Sequence, residues 1–315
     1  MDFSTHVLIR NTIEYGNFYY FLFVGILLAS IVAVGVLCHR FGPKLAKPLV
    51  TVLVWANFAL HFLKVFTPYL WEDFPLGLVR IGTPNLCAAF VLFAPFVFHF
   101  GNKYFKDYFY YMGLVSGIVA CVGFVGPIGI MGEAGNFSNP AYVIEVIRYY
   151  CCHGWMAIAA VALVAGRLHT LNYHRLWAFP LIFALYYSTT FLQGVIMGPI
   201  FHHPWYPQEF FGPDGVFNRL GSNIGALNEA MPIGPGADRD EYFSWMYRYT
   251  IPFLQSYQAF GTTQFVPVLW SVPMVYVVVA ILGIPLSLPF DYERIAQDFR
   301  FLRGKVKQVF HHNKA

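Results

Sequence analysis

The sequence contains few charged side chains. Asp, Glu, Lys and Arg together make up 11% of its 315 residues, against about 25% in an ordinary soluble domain. This shortage excludes the usual surface of a water-soluble protein. The net charge is only +4, and the basic residues form short clusters rather than a basic face interleaved with aromatic residues. We therefore expect no nucleic-acid partner.

Patterns typical of metal sites and disulfide scaffolds are also missing. The five cysteines lie inside or at the edge of apolar segments, and none has the CxxC spacing of a zinc or redox site. No internal repeat is evident, which removes one common signature of secondary transporters. We expect neither a disulfide framework nor a cofactor.

Long apolar runs account for most of the chain, in which 57% of the residues are hydrophobic. A helix needs about 20 apolar residues to cross a bilayer. The sequence therefore predicts an all-α, polytopic transmembrane helix bundle of about seven helices. The third run is the shortest and contains Pro95, so a six-helix count is the alternative. The predicted crossings are Phe18–Cys38, Pro48–Phe66, Pro84–His99, Tyr108–Ile128, Val143–Ala165, Leu176–Ile200 and Phe265–Leu288.

Basic residues recur in alternate loops, as expected for the cytoplasmic side of a membrane protein. The pattern predicts an amino terminus outside and a carboxyl terminus in the cytosol. The membrane is that of a bacterial cell or, in a eukaryote, the endoplasmic reticulum or Golgi. The residues that carry this argument are Arg40, Lys44 and Lys47; Lys103 and Lys106; Arg167 and Arg175; and Arg294, Arg300, Arg303, Lys305, Lys307 and Lys314.

The same map divides the chain into five parts. Residues 1–17 form an external tail, and residues 18–200 a six-helix membrane core that holds the candidate site. Residues 201–264 form an external loop or cap, whose aromatic content is typical of a segment lying on the membrane surface. Residues 265–288 form the seventh helix, and residues 289–315 a basic cytosolic tail.

Three polar side chains occur inside the second predicted helix. Asn57, His61 and Lys64 are spaced four and three residues apart, so they share one helical face. Ionisable groups within a crossing are costly, and they usually face a cavity or the bundle interior. A structural polar network is the alternative interpretation, as is snorkelling of Lys64 to the membrane surface.

Cys87 lies in the first turn of the third predicted helix, after Thr83 as a candidate N-cap and Pro84 at the first helical position. Free amide groups and the helix dipole stabilise an anion there, which favours a nucleophilic thiolate. The alternative is that Cys87 is a small buried apolar residue.

The predicted helix directions bring several polar groups to one depth. His153 of the fifth helix and Gln193 of the sixth fall in the same external half of the bilayer as His61, Lys64 and Cys87. A cysteine and a histidine brought together could supply the nucleophile and the base for acyl transfer. The side chains available to stabilise an oxyanion are Lys64, Asn85 and Gln193.

Two other functions remain open at this point. His61 and His153 could join His202 and His203 in a three-histidine zinc site of a lipid hydrolase, although no HxxxH pattern supports it. Alternatively, the polar groups could line the path of a transporter or of a non-enzymatic lipid-binding protein.

Short motifs in the middle of the chain carry a family resemblance. They are HFLK in the second helix, PNLC opening the third, FYYMGLVSGIVACVGFVGP in the fourth, YYCCHGW in the fifth and YHRLW after it. Over roughly His61 to Gln193, the chain resembles the integral membrane family of bacterial YwaF-type proteins and animal transmembrane protein 164.

The resemblance implies a coenzyme-A-independent acyltransferase that moves an acyl chain from a phospholipid to a lysophospholipid. It implies Cys87 as nucleophile, His153 as base, and phospholipid and lysophospholipid as partners within the membrane. The family's usual text at the cysteine is similar to LPLHLC, so Asn85 stands where the family has a histidine. Hydrolysis of the acyl group is the closest variant of this activity.

Overall fold

The fold is described by a computed structural model of the chain. It describes residues 12–13, 16–66, 81–83, 86–122, 136–186, 189, 257–259, 262–264 and 267–312.

Seven α-helices make up most of the described residues, and the predicted all-α fold is confirmed. Short 3₁₀ segments, Lys64–Phe66 and Tyr173–Ala178, extend the second helix and precede the sixth. An antiparallel hairpin joins strands β1 (Tyr257–Ala259) and β2 (Thr262–Gln264). The helices are α1 Phe18–Phe41, α2 Pro43–Leu63, α3 Leu86–Phe100, α4 Lys103–Val122, α5 Pro140–Ala165, α6 over residues 179–186 and 189, and α7 Pro267–His312.

A one-residue turn at Gly42 connects α1 to α2. Gly42 has a φ of 61°, a left-handed conformation that glycine adopts without steric cost. Its N–H donates to the Cys38 carbonyl at 2.8 Å, which closes α1. Pro43 then takes the first position of α2, where a missing N–H costs nothing. The chain therefore reverses direction within a single residue.

Helix α5 is the central element of the bundle. It packs against α1, α2 and α4. In the most apolar stretch of α5, 61% of the residues are buried, whereas in that of α1 only 17% are buried. Gly113 and Gly117 form a GxxxG pair on α4, and small residues at this spacing let two helix backbones approach closely. A Cβ on Gly117 would lie 2.5 Å from the His153 carbonyl oxygen of α5.

The contacts between helices also give their directions. Asn57 of α2 bonds to Cys152 of α5, and Ala46 faces Gly166 just after α5, so these two helices are antiparallel. One end of the bundle therefore holds the end of α2 and the starts of α3 and α5, and we call it the Lys64 end. The opposite end holds the starts of α2 and α4, and we call it the Asp107 end.

Helix α7 is bent where it reaches the Asp107 end. Asp291 departs from helical geometry, with φ −133° and ψ 22°. On its amino-terminal side, the Ser287 hydroxyl lies 2.7 Å from the Tyr111 hydroxyl of α4. On its carboxyl-terminal side, the helix runs on to His312. The segment predicted as a cytosolic tail is therefore largely a continuation of α7.

Four helices are long and apolar enough to cross a membrane, which makes the chain an integral membrane protein by length and composition. They are Phe18–Phe41, Pro43–Leu63, Pro140–Ala165 and Val275–Lys305. The shorter apolar helix Cys87–Phe100 also occurs. Large apolar side chains such as Phe21, Val32 and Ile281 are exposed on their outer faces, as expected for surfaces that contact lipid.

Several helix boundaries differ from the predicted ones. Helix α2 begins at Pro43 rather than Pro48, and α4 begins at Lys103 rather than Tyr108. Polar first turns outside the apolar run account for both shifts, since hydropathy detects only the span itself. Helix α3 has 15 residues with Pro95 inside it, so its predicted shortness is confirmed. Most of the predicted 201–264 loop lies outside the described residues.

Candidate functional site

The three polar residues predicted to share one face of α2 all lie inside the bundle. Asn57, His61 and Lys64 are buried. The Asn57 side-chain amide donates to the Cys152 carbonyl at 2.7 Å. Lys64 Nζ lies 3.4 Å from His61 Nδ1. The predicted inward face is therefore present, and it contacts α5.

His61 fixes the segment that leads into α3. Its Nε2 lies 2.8 Å from the Ile81 carbonyl and 2.9 Å from the Gly82 carbonyl. A ring nitrogen between two carbonyl oxygens must carry the proton, so Nδ1 is left to accept from Lys64. This assignment follows from the hydrogen-bond partners. His61 of α2 thereby binds the backbone of Ile81 and Gly82, just before α3 begins at Leu86.

Helix α5 presents a matching polar face. Glu145, Arg148 and Cys152 are spaced three and four residues apart, and Glu145 is buried while Arg148 pairs with it. In the antiparallel register set by Asn57 and Cys152, His61 falls level with Arg148 and Lys64 with Glu145. We call these residues the polar ladder: Asn57, His61 and Lys64 of α2 with Glu145, Arg148 and Cys152 of α5.

Sequence reasoning missed Glu145 and Arg148 as functional residues. Both lie within the predicted fifth crossing, and a charged residue inside a crossing is a functional candidate by default. That signal was available for both residues, although Glu145 is only the third residue of the predicted crossing. Their i,i+3 spacing is also the signature of an ion pair on one helix face.

Cys87 lies where the sequence predicts it, in the first turn of α3. It is half-buried and packs against the main apolar core. It is close enough to Tyr149 of α5 and to Cys121 of α4 to interact with both electrostatically. Thr83, the predicted N-cap, donates its hydroxyl hydrogen to the Thr189 carbonyl at 3.1 Å and so ties the start of α3 to α6.

His153 is held on α5 by the residue one turn before it. Its Nδ1 lies 2.9 Å from the Tyr149 carbonyl, and its ring lies 4.3 Å from the Tyr149 ring. Because Nδ1 faces a carbonyl oxygen it carries the proton, so Nε2 is the basic nitrogen. This is the tautomer that a general base requires.

Tyr149 of α5 lies in the surroundings of both Cys87 and His153. Cys87 is near Tyr149, and the Tyr149 carbonyl orients His153. Among the described residues, no hydrogen bond joins the Cys87 thiol to the His153 ring. Catalytic hydrogen bonds are often long in free enzymes and tighten when substrate binds.

Two predicted oxyanion residues, Asn85 and Gln193, lie outside the described residues. His202 and His203, which the zinc alternative needs, lie outside them as well. Within the described part of the chain, no group of three or more His, Cys, Asp and Glu side chains is arranged to hold a metal ion.

An apolar cavity of about 380 Å³ opens between α3, the start of α4, and α6. Phe93, Phe96, Phe100 and Tyr186 are among its lining side chains. Tyr186 also stacks on Tyr108, with ring centres 4.9 Å apart, and Tyr108 is close enough to Cys87 to interact with it electrostatically. The cavity therefore follows the second half of α3 towards the Asp107 end.

A second polar cluster, which sequence reasoning did not predict, lies at the Asp107 end. The Asp107 carboxylate is buried and accepts from Arg175 Nη2 at 2.8 Å and from Arg175 Nε. His169 Nε2 lies 2.7 Å from the same carboxylate. Hydrogen bonding to Asp107 raises the pKa of Arg175. The cluster therefore binds the segment between α5 and α6 to α4.

The segment before α6 is also bound to α7. Tyr173 N–H donates to the Asp291 carboxylate at 2.9 Å. His174 Nε2 lies 2.6 Å from the Asp298 carboxylate, which also accepts from the Tyr173 hydroxyl. The bend at Asp291 therefore coincides with the point where α7 binds the rest of the bundle.

Comparison of the chain with protein-family models, with curated proteins and with solved structures finds no match.

Proposed function

We propose that the protein is a membrane-embedded acyltransferase that moves a fatty acyl chain between phospholipids through a thioester on Cys87. The observation that carries this proposal is that Cys87 interacts electrostatically with Tyr149 of α5, the residue whose carbonyl orients His153. The polar ladder lies at the same end of the bundle. A lipid ester can reach this depth directly from the bilayer.

The first half of the reaction forms the acyl-enzyme. His153 Nε2 takes the Cys87 proton, and the sulfur attacks the ester carbonyl of a donor phospholipid. The C–S bond forms as the C–O bond breaks, and His153 returns the proton to the departing lysophospholipid oxygen. The apolar cavity along α3, of about 380 Å³, has the volume to hold part of the acyl chain.

The second half regenerates the thiol. His153 Nε2 removes the proton from the hydroxyl of an acceptor lysophospholipid, whose oxygen attacks the thioester carbonyl. The C–S bond breaks, and the proton passes to the Cys87 sulfur. Water in place of the acceptor gives hydrolysis by the same steps, so exclusion of water decides between transfer and hydrolysis.

The test uses the purified full chain in lipid nanodiscs with a phosphatidylcholine donor carrying a labelled acyl chain and a lysophospholipid acceptor. We expect label to appear in the acceptor, and we expect intact-protein mass spectrometry to detect an acyl adduct on Cys87. Cys87→Ala removes the nucleophile, so both signals should fall to background while the thermal unfolding temperature stays close to that of the wild type.

Cys151→Ala is the matched control. Cys151 is a half-buried cysteine of α5 that has no role in the proposed reaction, so its loss should leave transfer within about two-fold of the wild type. Transfer that survives Cys87→Ala would remove the nucleophile assignment. Lipid movement between leaflets with no adduct would instead favour a transporter, the rival function that the polar ladder also suits.

A further inference from the structure

The ion pair on α5 is only half satisfied. Arg148 donates from Nε and Nη2 to a single oxygen of Glu145, Oε2, at 3.0 and 2.6 Å. The other oxygen, Oε1, is buried and accepts no hydrogen bond. A buried carboxylate oxygen without a partner is costly. The pair therefore lacks one hydrogen-bond donor on its Glu145 side.

A second acceptor in the polar ladder is also unused. Asn57 bonds through its amide group to Cys152, and its Oδ1 is buried without a partner. Asn57 as a whole is only 4% exposed. Two unpartnered acceptors, Asn57 Oδ1 and Glu145 Oε1, thus occur at the interface of α2 and α5, and both call for N–H or O–H groups.

The same pair can also receive an anion. Arg148 has five N–H donors, of which two are used on Glu145, and it also interacts with the Cys152 thiol. Its side chain is 22% exposed, so it is not fully enclosed by the bundle. Arginine is the side chain best suited to phosphate oxygens.

The pair lies just below the headgroup level of the bilayer. Helix α5 begins at Pro140, so Glu145 lies about 7.5 Å along a helix roughly 39 Å long. The hydrocarbon core is about 30 Å thick, so each end of α5 extends about 4.5 Å beyond it, and Glu145 lies about 3 Å below its boundary. Lys64, level with Glu145, directly follows the last residue of α2.

We propose that Glu145 and Arg148 form a receptor for a lipid headgroup that carries a phosphate and an ammonium group with at least one N–H. The ammonium donates to Glu145 Oε1, and the phosphate accepts from Arg148. A quaternary ammonium has no N–H and cannot satisfy Oε1. This proposal rests on the proposed function only in that it takes the bound headgroup to be that of the lipid substrate. Lipid binding tests it without any measurement of acyl transfer.

The experiment measures lipid binding to the full chain with Cys87→Ala, which prevents turnover. Native mass spectrometry compares dioleoyl phosphatidylethanolamine with its mono-, di- and trimethylated forms, the last being phosphatidylcholine. We expect the first three, which keep an N–H, to bind comparably and the trimethylated lipid to bind about 10-fold more weakly. A gradual decline with each methyl group, or equal binding of all four, would overturn the proposal.

Glu145→Leu removes both acceptor oxygens of the receptor and should abolish this discrimination, whereas Glu145→Gln keeps one acceptor oxygen and should retain part of it. Asp298→Asn, which removes a carboxylate at the opposite end of the bundle, is the control and should keep it. Glycerophosphoethanolamine, the headgroup without acyl chains, is added as a competitor. Displacement of the lipid assigns the site to the headgroup, whereas full discrimination in Glu145→Leu would contradict the assignment to Glu145.

The two proposals can fail separately. Acyl transfer without headgroup discrimination would contradict the proposed receptor and support the proposed acyltransferase. Discrimination by a chain with no transferase activity would retain the receptor in a lipid-binding protein.

Discussion

The Asp107 carboxylate provides the sharpest test of stability at the level of single residues. It is 4% exposed and binds both Arg175 and His169. Breaking a buried ion pair by removing one partner costs about 3–5 kcal/mol, because the other charge is left uncompensated. Asp107→Asn keeps the size of the side chain, so we expect a marked drop in the thermal unfolding temperature of the detergent-solubilised protein.

Asp298→Asn is the comparison for this prediction. The Asp298 and His174 side chains are 39% and 54% exposed, and exposed pairs contribute little because water screens them. The unfolding temperature should fall far less than in Asp107→Asn. Equal losses in the two variants would show that burial does not set the strength of these pairs.

Single residues show where sequence reasoning succeeds and where it stops. Helical spacing was enough to predict that Asn57, His61 and Lys64 share an inward face, because that follows from helix geometry alone. The hydrogen bond between the His153 ring and the Tyr149 carbonyl could not be predicted, because it depends on the rotamer of His153. Asp107 was missed because hydropathy placed it outside the fourth span.

The contact between α4 and α5 is the most demanding at the scale of the elements. Gly117 leaves no space for a side chain, because an added Cβ would lie 2.5 Å from one backbone oxygen and 2.8 Å from the Ala157 Cβ. Gly117→Ala must push the helices apart, at a cost of about 1–3 kcal/mol. We expect a lower unfolding temperature and, since the contacted oxygen belongs to His153, weaker acyl transfer.

Gly25→Ala in α1 is the matched change. A Cβ there meets nothing within 4 Å, and alanine is the better helix former. The unfolding temperature should stay the same or rise slightly. If Gly117→Ala behaved like Gly25→Ala, the close approach of α4 and α5 would be ruled out.

At the same scale, apolar runs predicted the existence of the helices better than their ends. Pro43 and Lys103 begin helices in polar surroundings, where caps and tertiary contacts decide the boundary. Helix α7 extends past the predicted span to His312, because its polar second half binds the Tyr173 segment. Hydropathy carries no information about such contacts.

At the scale of the whole molecule, alternating helix directions bear on orientation in the membrane. The basic residues on either side of the Gly42 turn, at the start of α4 and after α5 all occur at the Asp107 end. Such residues favour the cytoplasm. We expect an epitope tag at the amino terminus of the full chain to be cleaved by external protease in intact cells, and a carboxyl-terminal tag to be cleaved only after permeabilisation.

An even number of crossings makes the opposite prediction. If α3, with 15 residues, does not cross, both tags lie on one side and show the same sensitivity. Permeabilised cells provide the control, since both tags must then be cleaved.

The central position of α5 also has a consequence for how the protein is made. Helices α1 to α4 leave the ribosome first, yet α1, α2 and α4 all pack against α5. Until α5 is synthesised, Asn57 lacks its hydrogen-bond acceptor at Cys152, whereas His61 can already bind the carbonyls of Ile81 and Gly82. Asn57 must then be shielded by an insertion factor or remain at the membrane surface. Nascent chains that stall before Pro140 therefore expose Asn57 to lipid, which makes them natural substrates for membrane quality control.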